Sequence, residues 1–328
     1  MEYLFLISVL ISFLLTILVL PKWIKKCREI GMVWEDMNKF GHPKNVAASG
    51  GVVVIMAFVL GVLFYLALKT FVFSGTIKAL EIFALLTVVL ILGFVGLTDD
   101  LLGWKNKGLS IKLRLLLAGT ASIPLIVINA GNHFMDVPFL GAVNFGILYP
   151  LVLIPLAVVG VSTTYNFLAG FNGLEAGQGI LILGFFSFVA YATGSAWLGI
   201  VGLCMVGALI GFYIFNKTPA SVFPGDIVTY VIGALIAGMA ILGNFEKIAF
   251  VVFIPYIIEV ILKVRGGLKK QSFGVPTKNR KIKLPYDKIY GLEHLAIWIL
   301  GSGATEKKVT YLIHAFQILF ILIAFLML

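Results

Sequence analysis

Two adjacent carboxylates stand at the end of an apolar stretch of this chain. Asp99 and Asp100 directly follow the run GFVGLT, where a membrane-crossing helix would end. Paired acids at a helix C-terminus oppose the helix dipole, so neither helix propensity nor capping explains them. One interpretation is a solvated helix end. The other is a magnesium or general-base site, because hard cations prefer carboxylate oxygens as ligands.

A second polar cluster, NFLAGFNGLEAGQG, occupies residues 166–179 between two apolar stretches. Asn166, Asn172 and Glu175 stand among glycines, which permit tight turns and the close approach of a ligand to the backbone. An ordinary polar loop is the alternative, but such a loop does not require this density of amides and glycines. The pattern favours a ligand site.

Two further segments carry charged groups. Asp226 ends TPASVFPGD just before an apolar stretch, where helix capping and the helix dipole already favour an acid. The run VPTKNRKIKLP at 275–285 contains Lys278, Asn279 and Arg280. Arginine can bind phosphate through paired hydrogen bonds. Membrane topology and attraction to anionic lipid headgroups are the alternative explanations of this basic run.

Membrane-spanning helices must position these clusters. Hydrophobic residues make up 60% of the 328 residues and charged residues only 12%, whereas about a quarter of a soluble domain is charged. Stretches long enough to cross roughly 30 Å of hydrocarbon recur along the chain, and in lipid such stretches must be helical. We therefore predict an all-α, polytopic membrane fold of about ten transmembrane helices in one domain, 1–328, with a long cytoplasmic loop, 265–308, before the last helix. The predicted spans are 3–21, 47–68, 79–97, 113–130, 145–165, 175–193, 196–215, 227–244, 247–264 and 309–328.

The net charge of +10 is distributed unevenly between the two membrane faces. All 25 Lys and Arg residues except Lys69, Lys78 and Lys247 fall in the odd-numbered connections. By the positive-inside rule these connections are cytoplasmic and both termini lie outside. The four polar clusters then share the cytoplasmic face, and the topological origin of the charge argues against nucleic-acid binding. Cys27 and Cys204 indicate neither a disulfide framework nor a metal centre.

Carboxylates, amides, a glycine-lined loop and basic side chains on one face fit an enzyme whose magnesium-bound, phosphorylated substrate meets a component of the membrane. A proton- or ion-coupled transporter would instead place acids near mid-span, where Glu259 is the main example. This favours the enzyme. A transporter or flippase, and a non-catalytic subunit that has kept the fold, are the alternatives.

The ordered set of motifs resembles the polyprenyl-phosphate N-acetylhexosamine-1-phosphate transferase superfamily, which is glycosyltransferase family 4. The most specific match is LAGFNGLEAGQ, and it is most similar to the UDP-GlcNAc:dolichyl-phosphate GlcNAc-1-phosphotransferase branch. Bacterial branches usually have aspartate-glycine at Ala169-Gly170. The other matches are DMNK at 36–39, the aspartate pair followed by Lys112, ASVFPGD at 220–226, the basic loop and TEKKVTYLI at 305–313.

The resemblance implies roles for individual residues. Asn166 and Asp226 would hold Mg²⁺, with Mn²⁺ as the alternative ion. Asp99 and Asp100 would act on the attacking polyprenyl phosphate or organise the metal, and Lys112 would lie near the phosphates, although Arg114 competes for that match. The substrate-binding residues implied are Asn172 and Phe223 at uracil, Glu175 in the glycine-rich loop, and Lys278, Asn279 and Arg280 at the diphosphate and the N-acetyl group.

This chain departs from the family pattern at several places. Thr163 and Gly103 stand where the family often has asparagine, and Lys278-Asn279-Arg280 replaces arginine-histidine-arginine. These departures concern the contacts to the sugar rather than the reaction class.

The reaction implied is transfer of GlcNAc-1-phosphate from UDP-GlcNAc to a polyprenyl, dolichyl-type phosphate, as the tunicamycin-sensitive first lipid-linked step of N-glycan or surface-glycan assembly. UDP-GalNAc and a UDP-muramoyl peptide are the alternative donors. The implied partners are UDP-GlcNAc, the lipid phosphate and membrane lipids, and a homodimer is left open. The short chain favours an archaeal plasma membrane, with the active site on the cytoplasmic face.

Overall fold

The computed structural model describes residues 2–73, 78–105, 108–137 and 141–328. The helices are α1 (Leu6–Glu29), α2 (Gly51–Phe71), α3 (Ala79–Lys105), α4 (Ile111–Ala121), α5 (Ile123–Val127), α6 (Ile154–Tyr165), α7 (Leu174–Ala192), α8 (Ala196–Asn216), α9 (Asp226–Gly243), α10 (Glu246–Val252), α11 (Ile254–Arg265), α12 (Leu292–Leu300) and α13 (Glu306–Phe325). Short antiparallel hairpins pair β1 (Val33–Glu35) with β2 (Lys44–Ala47), β3 (Phe134–Val137) with β4 (Gly141–Asn144), and β5 (Val275–Pro276) with β6 (Ile282–Lys283).

Seven of the described helices are long and apolar enough to cross a membrane. They are α1, α2, α3, α7, α8, α9 and α13, and each corresponds to one of the predicted spans. The predicted all-α fold class is confirmed, and the protein is a multi-pass membrane protein.

The remaining three predicted spans are built from shorter segments that meet beside a proline. Proline is the second residue of α5 (Pro124), of α11 (Pro255) and of α6 (Pro155), and α6 follows a π-helical turn at Tyr149–Leu153. Proline has no N–H to donate, and its ring clashes with the carbonyl of the preceding turn, so the helical hydrogen-bond ladder breaks there. The number of crossings, about ten by hydropathy, stays a prediction.

The helix that opens with Asp226, α9, is the most enclosed of the seven spans. It is buried from Ile227 to Ile241 and packs on α2, α3, α6, α7 and α8. A helix that is apolar on all sides is stable only inside such a ring of neighbours. Its N-terminus is therefore held at a fixed place, beside the C-terminal ends of α3 and α6.

The connection between α1 and α2 also reaches the start of α9. Ala47, at the end of β2, accepts a hydrogen bond from the Phe223 N–H at 2.8 Å and donates its own N–H to the Ser221 carbonyl at 3.1 Å. The Gly50 N–H donates to the Phe223 carbonyl at 2.9 Å. The first loop and the α8–α9 loop thus form one continuous wall.

Candidate active site

Asp100 caps the N-terminus of α9 from a different helix. Gly96, one turn earlier on α3, allows this approach, because a Cβ atom there would lie 2.6 Å from the Cα of Ile227. Asp100 Oδ1 accepts a hydrogen bond from the backbone N–H of Asp226 at 2.8 Å. The residue before Asp226 is Gly225, with φ of +77°, and it supplies no side-chain cap. The carboxylate of Asp100 satisfies an N–H that the helix leaves free and lies at the positive end of its dipole.

Asp99, the neighbouring residue, binds α4 instead. It accepts a short hydrogen bond from the Leu109 N–H, and Arg114 Nη1 lies 3.1 Å from its other oxygen. The same Nη1 lies 3.4 Å from an oxygen of Asp226. Arg114 therefore bridges two of the predicted acids.

Among the described residues, the cation that contacts these acids is thus Arg114, whereas Lys112 is exposed two residues earlier on α4. Ser110 caps this helix by accepting the Leu113 N–H at 3.3 Å, which fixes its first turn. The role predicted for Lys112 stays a prediction, and the contacts favour its competitor.

Asn166 ends α6 and faces the first turn of α9. Its side-chain oxygen accepts a hydrogen bond from the Thr229 hydroxyl, at 3.0 Å. That hydroxyl oxygen also lies 3.0 Å from the Asp226 carbonyl oxygen. The predicted metal ligands Asn166 and Asp226 are therefore brought to the same end of α9, through Thr229.

A cavity of about 550 Å³ opens between these elements. Asp100, Asn166 and Asp226 line it, together with the predicted substrate-binding residues Asn172, Glu175 and Phe223. The wall also includes residues for which the sequence suggested no role, namely Trp34, Asp36, Lys44, Gln271 and Phe273. An aromatic and polar cavity at the ends of apolar helices can hold a base and phosphates beside a lipid.

Two of the predicted substrate-binding residues, Glu175 and Asn172, make hydrogen bonds within the protein. Glu175 Oε1 accepts the Gly170 N–H at 2.9 Å and so closes the glycine-rich loop. The Asn172 side-chain amide donates to Asp36 at 3.0 Å. This leaves the side-chain oxygen of Asn172 as its acceptor for a ligand.

The DMNK segment forms a polar hub that sequence reasoning had left without a role. Asn38 donates to the Gly170 carbonyl at 2.7 Å and accepts the Gly274 N–H at 3.2 Å, which joins the first loop to both other loops at the cavity. Lys39 lies 3.8 Å from Asp36 and makes a short ion pair with Glu306. Burial lowers the pKa of Lys39; Asp36 opposes that shift and Arg280 adds to it. The signal for this hub was four mostly polar residues in a loop beside an apolar span.

The basic residues Lys278, Asn279 and Arg280 lie at the exposed turn of the β5–β6 hairpin. This turn is closed by hydrogen bonds between Thr277 and Lys281, at 2.8 Å from the Thr277 N–H to the Lys281 carbonyl. Lys278, Asn279 and Arg280 are not among the residues that line the described cavity, and their predicted contacts to the diphosphate and sugar stay predictions.

The donor atoms at the cavity fit a hard divalent cation. In the part of the chain that the structure describes, Asp100 Oδ2 is buried and has no hydrogen-bond partner. No three His, Cys, Asp or Glu side chains converge as a metal site among those residues. The predicted set instead combines carboxylate oxygens with the amide oxygen of Asn166, and Mg²⁺ readily fills its other positions with water and phosphate oxygens.

Comparison with known proteins identifies the family of the chain. The family model described as glycosyl transferase family 4 matches residues 82–244, the range that contains the aspartate pair, Asn166 and Asp226. Two archaeal relatives share the provisional name UDP-N-acetylglucosamine--dolichyl-phosphate N-acetylglucosaminephosphotransferase. The chain is 36% identical to that of Sulfolobus acidocaldarius over 272 residues, which is 82% of this chain and 80% of the relative. It is 33% identical to that of Saccharolobus solfataricus over 322 residues, 97% of this chain and 95% of the relative.

A bacterial relative named phospho-N-acetylmuramoyl-pentapeptide-transferase, from Halalkalibacterium halodurans, is 29% identical over 273 residues, 80% of this chain and 82% of its own length. The similarity to the archaeal relatives is higher and, for one of them, spans nearly the whole chain. The chain belongs to glycosyl transferase family 4.

Proposed function

We propose that this protein transfers GlcNAc-1-phosphate from UDP-GlcNAc to a polyprenyl, dolichyl-type phosphate, giving polyprenyl-diphospho-GlcNAc and UMP. The observation that carries the proposal is the cavity at the N-terminus of α9. Its wall combines Asp100, Asn166 and Asp226 with the predicted uracil contacts, and it lies at the ends of apolar helices. There a water-soluble nucleotide sugar can meet the phosphate of a lipid whose chain stays in the bilayer. The names of the archaeal relatives support the same donor and acceptor.

In the transfer, an oxygen of the polyprenyl phosphate attacks the β-phosphorus of UDP-GlcNAc. The bond from that phosphorus to the oxygen shared with the α-phosphorus breaks, and UMP leaves with this oxygen. Charge and protons balance when the attacking phosphate is fully ionised, as it largely is near neutrality. Positioning and stabilisation of charge are therefore the main tasks of the protein, and a general base contributes less.

The residues divide these tasks. Asp226 and Asn166 would hold Mg²⁺, with Asp100 close by, and the bound ion would neutralise charge on the phosphoryl oxygens. Arg114 keeps Asp99 and Asp226 in register through its two ion pairs, 3.1 and 3.4 Å long. Because it pairs with those acids, Arg114 would also offer positive charge to the phosphates.

Asn172 and Phe223 would recognise the uracil. The side-chain NH₂ group of Asn172 donates a hydrogen bond to Asp36 at 3.0 Å, so the side-chain oxygen of Asn172 can accept the N3–H of uracil. The half-buried ring of Phe223 offers a flat apolar face for stacking on the base.

We place the cavity on the cytoplasmic side, in a plasma membrane, with both termini outside. The support is the distribution of basic residues, which the positive-inside rule assigns to the cytoplasm.

The test is UMP release by the purified protein in detergent. We expect release only when UDP-GlcNAc, polyprenyl phosphate and Mg²⁺ are all present, and its loss with EDTA. A panel with UDP-GalNAc and UDP-MurNAc-pentapeptide identifies the donor. Movement of lipid or sugar without UMP formation would contradict the proposal and favour a transporter, and preferred use of the muramoyl donor would overturn the assignment of the sugar.

A further inference from the structure

A second cluster of ionisable side chains lies away from the cavity, between α11 and α12. Glu259, Glu293 and His294 are 0% exposed, and Lys263 is 7% exposed. We call these four residues the loop clamp. Buried charges are costly unless they are paired, so four ionisable groups in one place call for a specific explanation.

The α11 half of the loop clamp contacts the basic loop at two separate places. Lys263 Nζ lies 3.3 Å from Glu259 Oε1 and donates to the Ser272 hydroxyl at 2.5 Å. The other oxygen of Glu259 accepts the Leu292 N–H at 2.6 Å. One ion pair on one helix thus fixes two places in the loop, residue 272 and residue 292, where α12 begins.

The α12 half brings a second carboxyl group to the same place. A Cβ atom on Gly291 would lie 2.6 Å from Glu293 Oε2 and 3.0 Å from Glu259 Oε1, so both side chains reach this glycine. In the part of the chain that the structure describes, neither oxygen of Glu293 has a hydrogen-bond partner. Burial and the neighbouring Glu259 raise the pKa of Glu293 well above its usual range. The ion pair with Lys263 favours the charged form of Glu259, whereas the burial of Glu293 favours its protonated form.

His294 completes the cluster as a neutral ring. Burial and the charge of Lys263 lower its pKa to about 4, although the backbone of Gln271 and Phe273 opposes the shift. Its Nδ1 accepts the Tyr290 N–H at 3.3 Å. The imidazole therefore also contacts the loop on both sides of the β5–β6 hairpin, near residues 271–273 and at Tyr290.

The segment held by the loop clamp is a wall of the cavity. Gln271 and Phe273, on either side of Ser272, line it, and the ring of Phe273 packs against Gly170. The next residue, Gly274, donates its N–H to Asn38 at 3.2 Å. A shift of Ser272 would move this wall directly.

We propose that Glu259, Lys263, Glu293 and His294 are positioning residues for nucleotide-sugar binding: they fix segment 271–274 as a wall of the cavity and hold the β5–β6 turn with Lys278 and Arg280 beside it. The kinetic part of this inference rests on the proposed function. None of the four residues lines the cavity, so they act through the loop.

The test compares Lys263→Met with Lys269→Met, an exposed lysine nearby that serves as the matched control. For Lys263→Met we expect KM for UDP-GlcNAc to rise about tenfold, a change of roughly 1.4 kcal/mol in binding. We expect KM for the lipid phosphate and kcat to stay within about twofold. Hydrogen–deuterium exchange should accelerate at 272–292 and stay unchanged in α9. Lys269→Met should behave like the unmodified protein in every measurement.

Glu259→Gln keeps an acceptor for the Leu292 N–H and guards against a variant that fails to fold. It should raise KM for UDP-GlcNAc less than Lys263→Met does, in the same direction. Equal changes in both KM values and kcat, or unchanged exchange at 272–292, would overturn the inference. Hydrogen–deuterium exchange can be measured without enzyme activity. If the unmodified protein releases no UMP, the proposed function is contradicted, and exchange at 272–292 alone then decides whether the loop clamp holds the loop.

Discussion

Two acid–base clusters of similar composition have opposite surroundings. Beside the cavity, Asp99 and Asp226 pair with Arg114, whose side chain is 26% exposed, and Asp100 caps the helix that begins with Asp226. In the loop clamp, Glu259 and Glu293 meet Lys263, and both carboxyl groups are fully buried. The cavity cluster leaves a buried carboxylate oxygen of Asp100 without a hydrogen-bond partner among the described residues, whereas the loop clamp uses its ion pair to hold two places in a loop. We therefore expect similar charges to serve ligand binding at the more exposed cluster and loop positioning at the buried one.

The largest expected effect is the loss of activity in Asp226→Asn. The substitution keeps the size of the side chain but removes a charge that pairs with Arg114 and would hold the metal. We expect UMP release to fall about 100- to 1,000-fold, with the protein still monodisperse in detergent. Asp287→Asn, at an exposed acid, is the control and should keep full activity. Turnover of Asp226→Asn near that of the control would refute the metal-ligand role.

For stability, in contrast to activity, we expect the larger effect in the loop clamp and the smaller one at the cavity. Lys263→Met leaves Glu259 buried without its cation and should lower the free energy of unfolding by about 3 kcal/mol. Arg114→Met, at the more open cluster, should lower it by less than about 1 kcal/mol. Melting temperatures in detergent compare the two variants.

The double variant Glu259→Gln/Lys263→Met sharpens this comparison. Because it leaves no unpaired buried charge, it should recover part of the stability lost in Lys263→Met. If Arg114→Met destabilises the protein as much as Lys263→Met, the proposed difference between open and closed clusters is wrong.

A smaller effect on activity should separate Arg114 from Lys112. Arg114 touches both Asp99 and Asp226, so Arg114→Gln should lower kcat about tenfold or more. Lys112→Gln changes an exposed side chain and should stay within about twofold. The two substitutions remove the same charge two residues apart on one helix, and each serves as the control for the other. A larger loss in Lys112→Gln would favour the assignment predicted from the sequence.

The seven long spans and the acids at their ends could be predicted from the sequence because both leave local signals. A run of apolar residues is visible without knowledge of packing, and so is a charge at its end, as at Asp99-Asp100 and at Asp226. The different directions of Asp99 and Asp100 were not visible, because they depend on how α3 packs against α9 at Gly96 and against α4.

The loop clamp was harder to predict for the same reason. In sequence, Glu259 is one acid in an apolar span, and it was considered only as a transporter signal. Its partner Lys263 follows one turn later, but Ser272 and Glu293 come together with them only when the loop folds back on α11. No local sequence pattern indicates a contact between residues so far apart in the chain. The prolines that interrupt three spans were visible, but the helix ends that result from them depend on packing.

The smallest expected effect concerns the pH dependence of stability. The raised pKa of Glu293 means that the folded protein binds this proton more tightly than the unfolded chain. The resulting stabilisation is fully present below the usual pKa of a glutamic acid and is lost as the pH rises through the raised value. The charged groups that act on Glu293 are Glu259, which raises its pKa, and Lys263, which lowers it. Glu293→Gln mimics the protonated form, so its melting temperature should fall less than that of the unmodified protein as the pH rises above the usual pKa of a glutamic acid. Glu29→Gln, at an exposed acid whose side chain is 49% accessible, should keep the full pH dependence. Identical pH profiles for Glu293→Gln and the unmodified protein would mean that Glu293 is not the proton carrier of the loop clamp.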